Sequence, residues 1–337
     1  MKRGGRVSSR AHKISVVQEK AMENELQSSE KTMVALFADF RGFSHMFDVL
    51  SSHKVYKFTN RYYQTAAEII ERYKGELDNI VGDGFFAIWG KDKAVPNAAF
   101  YAVRSALEMR MALLRQNIQY KWDAHFPLEI GVGVAMGKSL HCMVGPREKP
   151  IDTVFGKPVI LASRLGDTAK NNQIYVDEAV ATSISRWAKL EKLSKVSIRG
   201  FKGSFSIYKV EGLMDFLLKN NERRKSSYRR FVVPEISAIV FKESGIRKPA
   251  ILRNLSASGA GIEIVQKDES PVRKDAEISL DLKRFEFPNF STLDGRIVQV
   301  NTISEESTEE RSLSQVGIAF HDLQPDQRRI LERFNIA

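Results

Sequence analysis

Continuous apolar runs, alternating stretches and three-to-four-residue recurrences trade places along this chain, and the exchanges mark its elements. Met33–Phe40 (MVALFADF) is an apolar run closed by an aspartate, the pattern of a buried strand. Over Lys54–Lys74, Val55, Phe58, Tyr62, Ala66, Ile69 and Tyr73 recur at helical spacing. LDNIVGDGFFAIWG (Leu77–Gly90) sets two apolar runs about a Gly-Asp-Gly corner and predicts a hairpin. A second helix is predicted over about Pro96–Arg115, with proline where a helix start tolerates it. LEIGVGVAMG (Leu128–Gly137) alternates as a strand, with a turn predicted near Gly137–Lys138 and a return through LHCMVG. Val159–Ala169 reads as a helix, QIYVD as a strand, EAVATSISRWA as a helix and Arg199–Gly212 as a closing hairpin. Strands alternating with helices predict an α/β sheet with helices covering a face.

From Leu213 the pattern changes. A short helical LMDFLLK and the basic run ERRKSSYRR (Glu222–Arg230) precede mostly strands: EISAIVF, KPAILRNLSASGAGIEIV, EISLDLKRFEF, GRIVQVNT and SQVGIAFHDL. The polar loop Ser304–Arg311 interrupts them and a helix, PDQRRILERFNI, closes the chain. These strands predict a small β-barrel-like unit. Residues 1–31 are polar, with a short helix predicted at Val16–Gln27. The expected organisation is therefore a segment 1–31, an α/β domain 32–212, a basic linker 213–230 and a barrel 231–337.

Composition adds bounds. At 337 residues the chain is long for one compact core. Cys142 is its only cysteine, so an internal disulfide is excluded and a reducing, cytoplasmic setting is expected. No apolar run reaches the roughly 18 residues of a membrane span, and the basic start lacks the apolar stretch of a secretory signal. The net charge of +11 favours anionic partners, but its one dense cluster lies between the two domains. With no reading helix and no aromatic-interleaved basic stripe, a nucleic-acid partner is not expected.

Candidate chemistry begins with Asp39, at the end of a strand before the turn FRGFS, and Asp83, at the hairpin corner. Aspartate suits turns and helix caps, and either residue alone reads that way. Together, each between an apolar strand and a glycine, they supply hard oxygen donors from separate strands, as two-metal phosphate chemistry requires.

The ordered set FADFRGFS, VGDGFFAIWG, GVGVAMG…VG, TVFGKPVILASRL and RGFKGSFSIYKV resembles the signature of class III nucleotidyl cyclase catalytic domains over about Thr32–Gly212. The resemblance implies a ferredoxin-like sandwich working as a head-to-tail dimer with composite sites, as a homodimer or with another cyclase domain. It implies that Asp39, Asp83 and the Phe40 carbonyl hold two Mg²⁺ or Mn²⁺ ions. The Arg41–Gly42–Phe43 backbone would touch phosphates, Arg164 would steady transition-state charge and Lys202 would hold the triphosphate. The product would be a cyclic nucleotide. Asn79 stands where adenylate cyclases carry lysine and guanylate cyclases glutamate, and an amide can donate or accept. Thr153 matches the second base-reading position of many bacterial adenylate cyclases, which places ATP ahead of GTP. Ile160 occupies the position of the ribose-binding asparagine, and losing one such donor typically costs on the order of 10²–10³ in rate. Lys157–Pro158 also replaces the usual Asp–Thr. A diguanylate cyclase, whose hairpin is superficially close, lacks the ASRL and FKG motifs.

In the second unit, Asn254, Ser256 and Gly259 match the D/N-x-S-x-x-G motif of PilZ domains, the bacterial cyclic-di-GMP receptors. The R-x-x-x-R motif is matched in spacing by Lys225 and Arg229, with Arg223, Arg224 and Arg230 near enough to substitute. Guanidinium groups suit phosphates and base stacking, and a glycine admits close approach. The resemblance implies a cyclase regulated by cyclic-di-GMP. The alternative is a cyclase-fold dimer without turnover, acting as a cyclic-di-GMP receptor.

Overall fold

The computed structural model describes residues 29–119, 128–146, 148–170, 172–193, 196–197, 203–214, 230–267, 272–283, 287–303 and 311–336. The first unit runs β1 (Ser29–Arg41), α1 (Phe43–Val49), α2 (Ser52–Arg72), β2 (Glu76–Val81), β3 (Gly84–Trp89), α3 (Ala98–Gln119), β4 (Glu129–Val144), β5 (Ile151–Gly156), α4 (Lys157–Thr168), β6 (Ile174–Asp177), α5 (Glu178–Ile184), β7 (Ala188–Lys192), β8 (Val196–Ser197), β9 (Ser204–Phe205) and β10 (Ile207–Met214). The second runs β11 (Arg230–Phe241), β12 (Arg247–Ser256), β13 (Gly259–Lys267), β14 (Glu277–Asp281), β15 (Thr292–Ile303), β16 (Arg311–Phe320) and α6 (Pro325–Ile336).

The first unit is one sheet in the order β2-β3-β1-β4-β6-β10, with β5 on β4 and β7 on β10. β1, at its centre, is apolar on both faces. Val34, Leu36 and Ala38 face the core formed with α2 and α3, whereas Met33, Ala35 and Phe37 face α4. Its two neighbours lie antiparallel to it. In the second unit β11, β12, β13, β16, β15 and β14 close a six-stranded barrel around Ile239, Leu252, Ile262, Leu280, Ile297 and Ile318, and Leu331 of α6 joins that core. The units share a ladder, because β10 pairs with β11 at Gly212↔Val232, Leu213↔Phe231 and Met214↔Arg230.

Four sequence expectations are corrected. β4 does not turn at Gly137–Lys138. It continues straight to Val144 because β1 pairs with it as far as His141, and the return strand is β5. The helix after QIYVD ends at Ile184, and Ala188 already belongs to β7, which pairs with β10. In LMDFLLK, Leu213 and Met214 extend β10 rather than start a helix, since β11 offers them partners. In the closing stretch, β8–β9 is a two-pair hairpin, separate from the main sheet that β10 joins. The rest of LMDFLLK, the helix at Val16–Gln27, residues 304–310 and the tip of the closing hairpin lie outside the described residues.

Candidate functional site

Strand period fixes the first cluster. Asp39 is the last residue of β1 to pair with β3, opposite Gly84, and it lies opposite Gly131 on β4. The strand does not end there as expected but runs on to Arg41, because β4 still pairs with it. Asp83 sits in the two-residue turn Gly82–Asp83 that joins β2 to β3, with Gly82 at φ 63°, as such hairpins demand. The two carboxylates feel one another. Burial and then the Asp83 charge push the Asp39 carboxyl above its usual range, against the pull of Arg41. The same pair, after burial, lifts the Tyr63 hydroxyl of α2 to about 12.

Arg41 is the residue that motif reading undervalued. Its side chain, one strand period after Asp39, donates from Nη1 to Asp39 Oδ2 at 2.7 Å. Its Nε and Nη2 donate to the Ala169 carbonyl at 3.3 and 3.1 Å, and Nη2 also donates to the Gly166 carbonyl, so the guanidinium caps the end of α4. Only a glycine at 131 leaves room, since a Cβ there would lie 2.6 Å from Arg41 Cζ and 2.8 Å from the Gly166 oxygen. Gly42 begins α1 in the left-handed region, and Phe43 stacks on Phe40 at 5.7 Å.

Like charges at a strand terminus with oxygen-only donors fit a divalent cation, which would remove the repulsion that lifts Asp39. No third His, Cys, Asp or Glu joins them among the described residues. Further ligands would therefore be the Phe40 carbonyl, water or substrate oxygens.

A second set lies on β2, β5 and α4. Asn79 is exposed on β2 and Thr153 half-buried on β5. Ile160 projects from the first turns of α4, 52% exposed, and Arg164 follows one turn on, with Nη1 donating to Asp167 Oδ2 at 3.2 Å. Lys202 lies outside the described residues.

In the barrel, β12 and β13 are joined by the two-residue turn Ala257–Ser258. Ser256 donates to the Gly259 carbonyl at 3.0 Å, and Asn254 Oδ1 accepts from the Gly261 amide at 2.9 Å. Gly259 presses on β16, where a Cβ would lie 3.1 Å from the Ile318 carbonyl carbon. Arg223, Arg224, Lys225 and Arg229 lie outside the described residues. Arg230 opens β11 opposite Met214.

Sequence reading gave no hint of a contact between the units. Arg115 of α3 donates from Nε and Nη2 to the Glu263 carboxylate of β13 at 2.5 and 2.6 Å. The Glu263 side chain is 0% exposed and also lies 3.2 Å from Arg253 Nε. Ile251 of β12 packs beside them on Met111 and Leu114.

Comparison with known proteins agrees with this architecture. The family described as "Adenylate and Guanylate cyclase catalytic domain" matches residues 26–212, and the PilZ domain family matches residues 222–337. An adenylate cyclase of Anabaena cylindrica is 27% identical over 209 residues, covering 59% of this chain and 41% of its own length. A terminal-differentiation-specific adenylate cyclase of Dictyostelium discoideum is 27% identical over 53% of this chain and 9% of its own length. The chain thus spans less than half of either relative. The adenylyl cyclase CyaB of P. aeruginosa shares the fold at TM-score 0.52 and 24% identity, over 54% of this chain and 95% of its own. The guanylyl cyclase Cya2 does so at TM-score 0.54 and 24% identity, over 57% and 98%. Among the described residues no helix is long and apolar enough to cross a membrane. The chain belongs to the adenylate and guanylate cyclase catalytic domain family, and a PilZ domain follows its catalytic domain.

Proposed function

We propose that this protein is a bacterial cytoplasmic nucleotidyl cyclase that converts ATP, ahead of GTP, to the cyclic nucleotide and pyrophosphate, under control of cyclic-di-GMP bound at the barrel. The observation that carries the reading is the pair of crowded carboxylates, Asp39 and Asp83, at adjoining strand ends. Asp39, Asp83 and the Phe40 carbonyl would hold two Mg²⁺ or Mn²⁺ ions. When bound, these ions supply Lewis acidity toward the ribose 3′-hydroxyl and charge neutralisation for pyrophosphate. Arg41 holds the Asp39 carboxylate in place from the end of α4. The Arg41–Phe43 backbone faces phosphate oxygens, Arg164 offers a guanidinium to the charge that grows on the α-phosphate, and Lys202 binds the triphosphate. Asn79 and Thr153 read the base. The 3′-oxygen attacks the α-phosphorus and pyrophosphate leaves.

The two residue sets complement each other across a dimer. Exposed apolar side chains favour such pairing: Phe47, Val49, Tyr56, Ile80, Val81, Met143, Ile151, Phe155 and Ile160 all lie on the catalytic unit. A homodimer, or a heterodimer with another cyclase domain, would cover them.

Control has a physical path. In the shared ladder Leu213 pairs with Phe231, Phe231 with Asn254, and Asn254 with Gly261, so the last catalytic strand and the motif asparagine lie in one row. Arg223, Arg224, Lys225, Arg229 and Arg230 would supply guanidinium and ammonium groups to the cyclic-di-GMP phosphates, and Asn254, Ser256 and Gly259 the motif turn. Ligand bound there would bias the row and the Arg115–Glu263 pair, and with them the meeting of two catalytic units. The test incubates full-length protein with ATP or GTP and Mn²⁺, with and without cyclic-di-GMP. Cyclic product that Asp83→Ala abolishes is expected. No product under any condition leaves the second reading, a receptor without turnover, which Ile160 in place of a hydrogen-bonding residue favours.

A further inference from the structure

Lys91, just beyond β3, stands among three carboxylates. Its Nζ lies 3.0 Å from Glu76 Oε1, 2.9 Å from Asp78 Oδ1 and 3.1 Å from Asp152 Oδ2, and its side chain is 6% exposed. Burial alone would lower the ammonium's pKa, but the hydrogen bonds it donates to Asp78, Glu76 and Asp152 hold it well above the usual lysine range. Asp152 is gripped from a second side by His141 Nε2 at 2.6 Å. The loop that carries Lys91 is itself pinned, because Lys31 of β1 donates to the carbonyls of Lys91 and Asp92 at 3.3 and 3.2 Å.

Among the described residues each of the two strands that this ammonium joins has a sheet partner on one side only: β2 pairs only with β3, and β5 only with β4. Asp78 is the extra residue of a bulge, between Leu77↔Ala87 and Asn79↔Phe86. A bulge re-aims the side chain beside it, and here the inserted aspartate turns inward, 10% exposed, while Asn79 turns out. Asp152 directly precedes Thr153. A single cation therefore binds the residue before each of the two positions assigned to the base. Buried ion pairs are weak devices for stability and better ones for geometry, because each acceptor must lie in its own direction.

We propose that Lys91 is a positioning residue for base recognition: it locks Asn79 on β2 and Thr153 on β5 at one spacing, and so sets affinity and the choice between adenine and guanine. The proposal rests on the base-reading roles of Asn79 and Thr153. Without the ammonium, three carboxylates repel and the two strands part.

The test titrates full-length protein with methylanthraniloyl-ATP and methylanthraniloyl-GTP in Mn²⁺ and, alongside, measures KM and kcat for the unlabelled nucleotides. Lys91→Met should weaken the preferred nucleotide about tenfold and bring the ATP:GTP affinity ratio to within about twofold of one. KM should rise in step, with kcat held within about threefold. Lys91→Arg should restore most of the ratio. Asp152→Asn, which frees β5 and leaves Lys91 paired with β2, should move the ratio in the same direction by less, and it serves if Lys91→Met does not fold. An unchanged ratio in Lys91→Met or Asp152→Asn overturns the proposal, as does equal loss of both nucleotides, the mark of a structural role alone. Asn79→Ala separates the premise from the inference: if it leaves the ratio intact, the base-reading assignment itself falls. If Asn79→Ala shifts the ratio and Lys91→Met does not, only Lys91 is dismissed. A wild-type chain that binds both nucleotides equally, or neither, overturns both.

Discussion

Each unit places its signature on a two-residue hairpin turn, Gly82–Asp83 in one and Ala257–Ser258 in the other, and the two turns are in opposite electrostatic condition. At the first, two carboxylates crowd together and burial and repulsion lift Asp39, even with Arg41 attached. At the second, Asn254 already accepts from the Gly261 amide and Ser256 already donates to the Gly259 carbonyl. A frustrated site gains by taking in a cation. A satisfied one has no such gain on offer, because its motif side chains already shape the turn. The same kind of sequence signature thus marks crowded, unneutralised charge in one unit and a self-satisfied turn in the other.

The contrast is open to direct attack. Asp83→Ala should cut cyclic-nucleotide formation by about 10³-fold, in line with loss of a group that organises transition-state charge. Isothermal titration should meanwhile find cyclic-di-GMP affinity unchanged. The complementary Ile160→Asn should raise turnover by on the order of 10²-fold if that position lacks only its donor. Arg115→Met leaves the buried Glu263 with Arg253 alone and should cost on the order of 3 kcal/mol in urea unfolding, along with the response of turnover to cyclic-di-GMP. Ser256→Ala should destabilise the barrel by about 1 kcal/mol, and a melting shift without ligand would show that it builds the turn. If the melting temperature holds and only affinity falls, the contrast between the two turns is wrong.

A further effect concerns pH. Asp177 caps α5 and accepts hydrogen bonds from the Val180 and Met136 amides, yet burial pushes it up to about 6. A raised carboxyl favours the folded state most when protonated. Its contribution is therefore full below the ordinary aspartate range and lost as pH climbs from about 4 through about 6, on the order of 3 kcal/mol in all. Asp177→Asn should flatten that part of a urea-stability profile, and an unchanged slope would dismiss it.

Legibility in the sequence followed distance along the chain. The Asp83 hairpin was readable because alternation and turn residues are local signals, and Asp39 because it interrupts an apolar run, although the strand itself runs on to Arg41. Arg41's hold on Asp39 was also available, since residues two apart share a strand face, but its grip on Gly166 and Ala169 spans more than a hundred residues and leaves no periodic trace. Lys91 with Asp152 and Arg115 with Glu263 likewise lie far apart in the chain and leave no periodic trace. Only the fold brings those charges together, and each alone reads as a solvated surface residue. β4 misled for a related reason: Gly137–Lys138 looks like a turn until β1 is seen alongside, holding the strand straight.

The three-pair seam between β10 and β11 has a practical consequence for anyone dissecting the molecule. At Arg230–Val232, β11 has β10 on one flank and β12 on the other, while β14 takes over the first flank only from Ala238. Cutting between residues 214 and 230 would therefore leave two fragments, each with a raw strand edge of unpaired amides and carbonyls, and the C-terminal one with Ile251 bared as well. Such edges recruit one another. Activities and affinities measured on the severed halves would then report self-association of the fragments as much as the protein's own signalling.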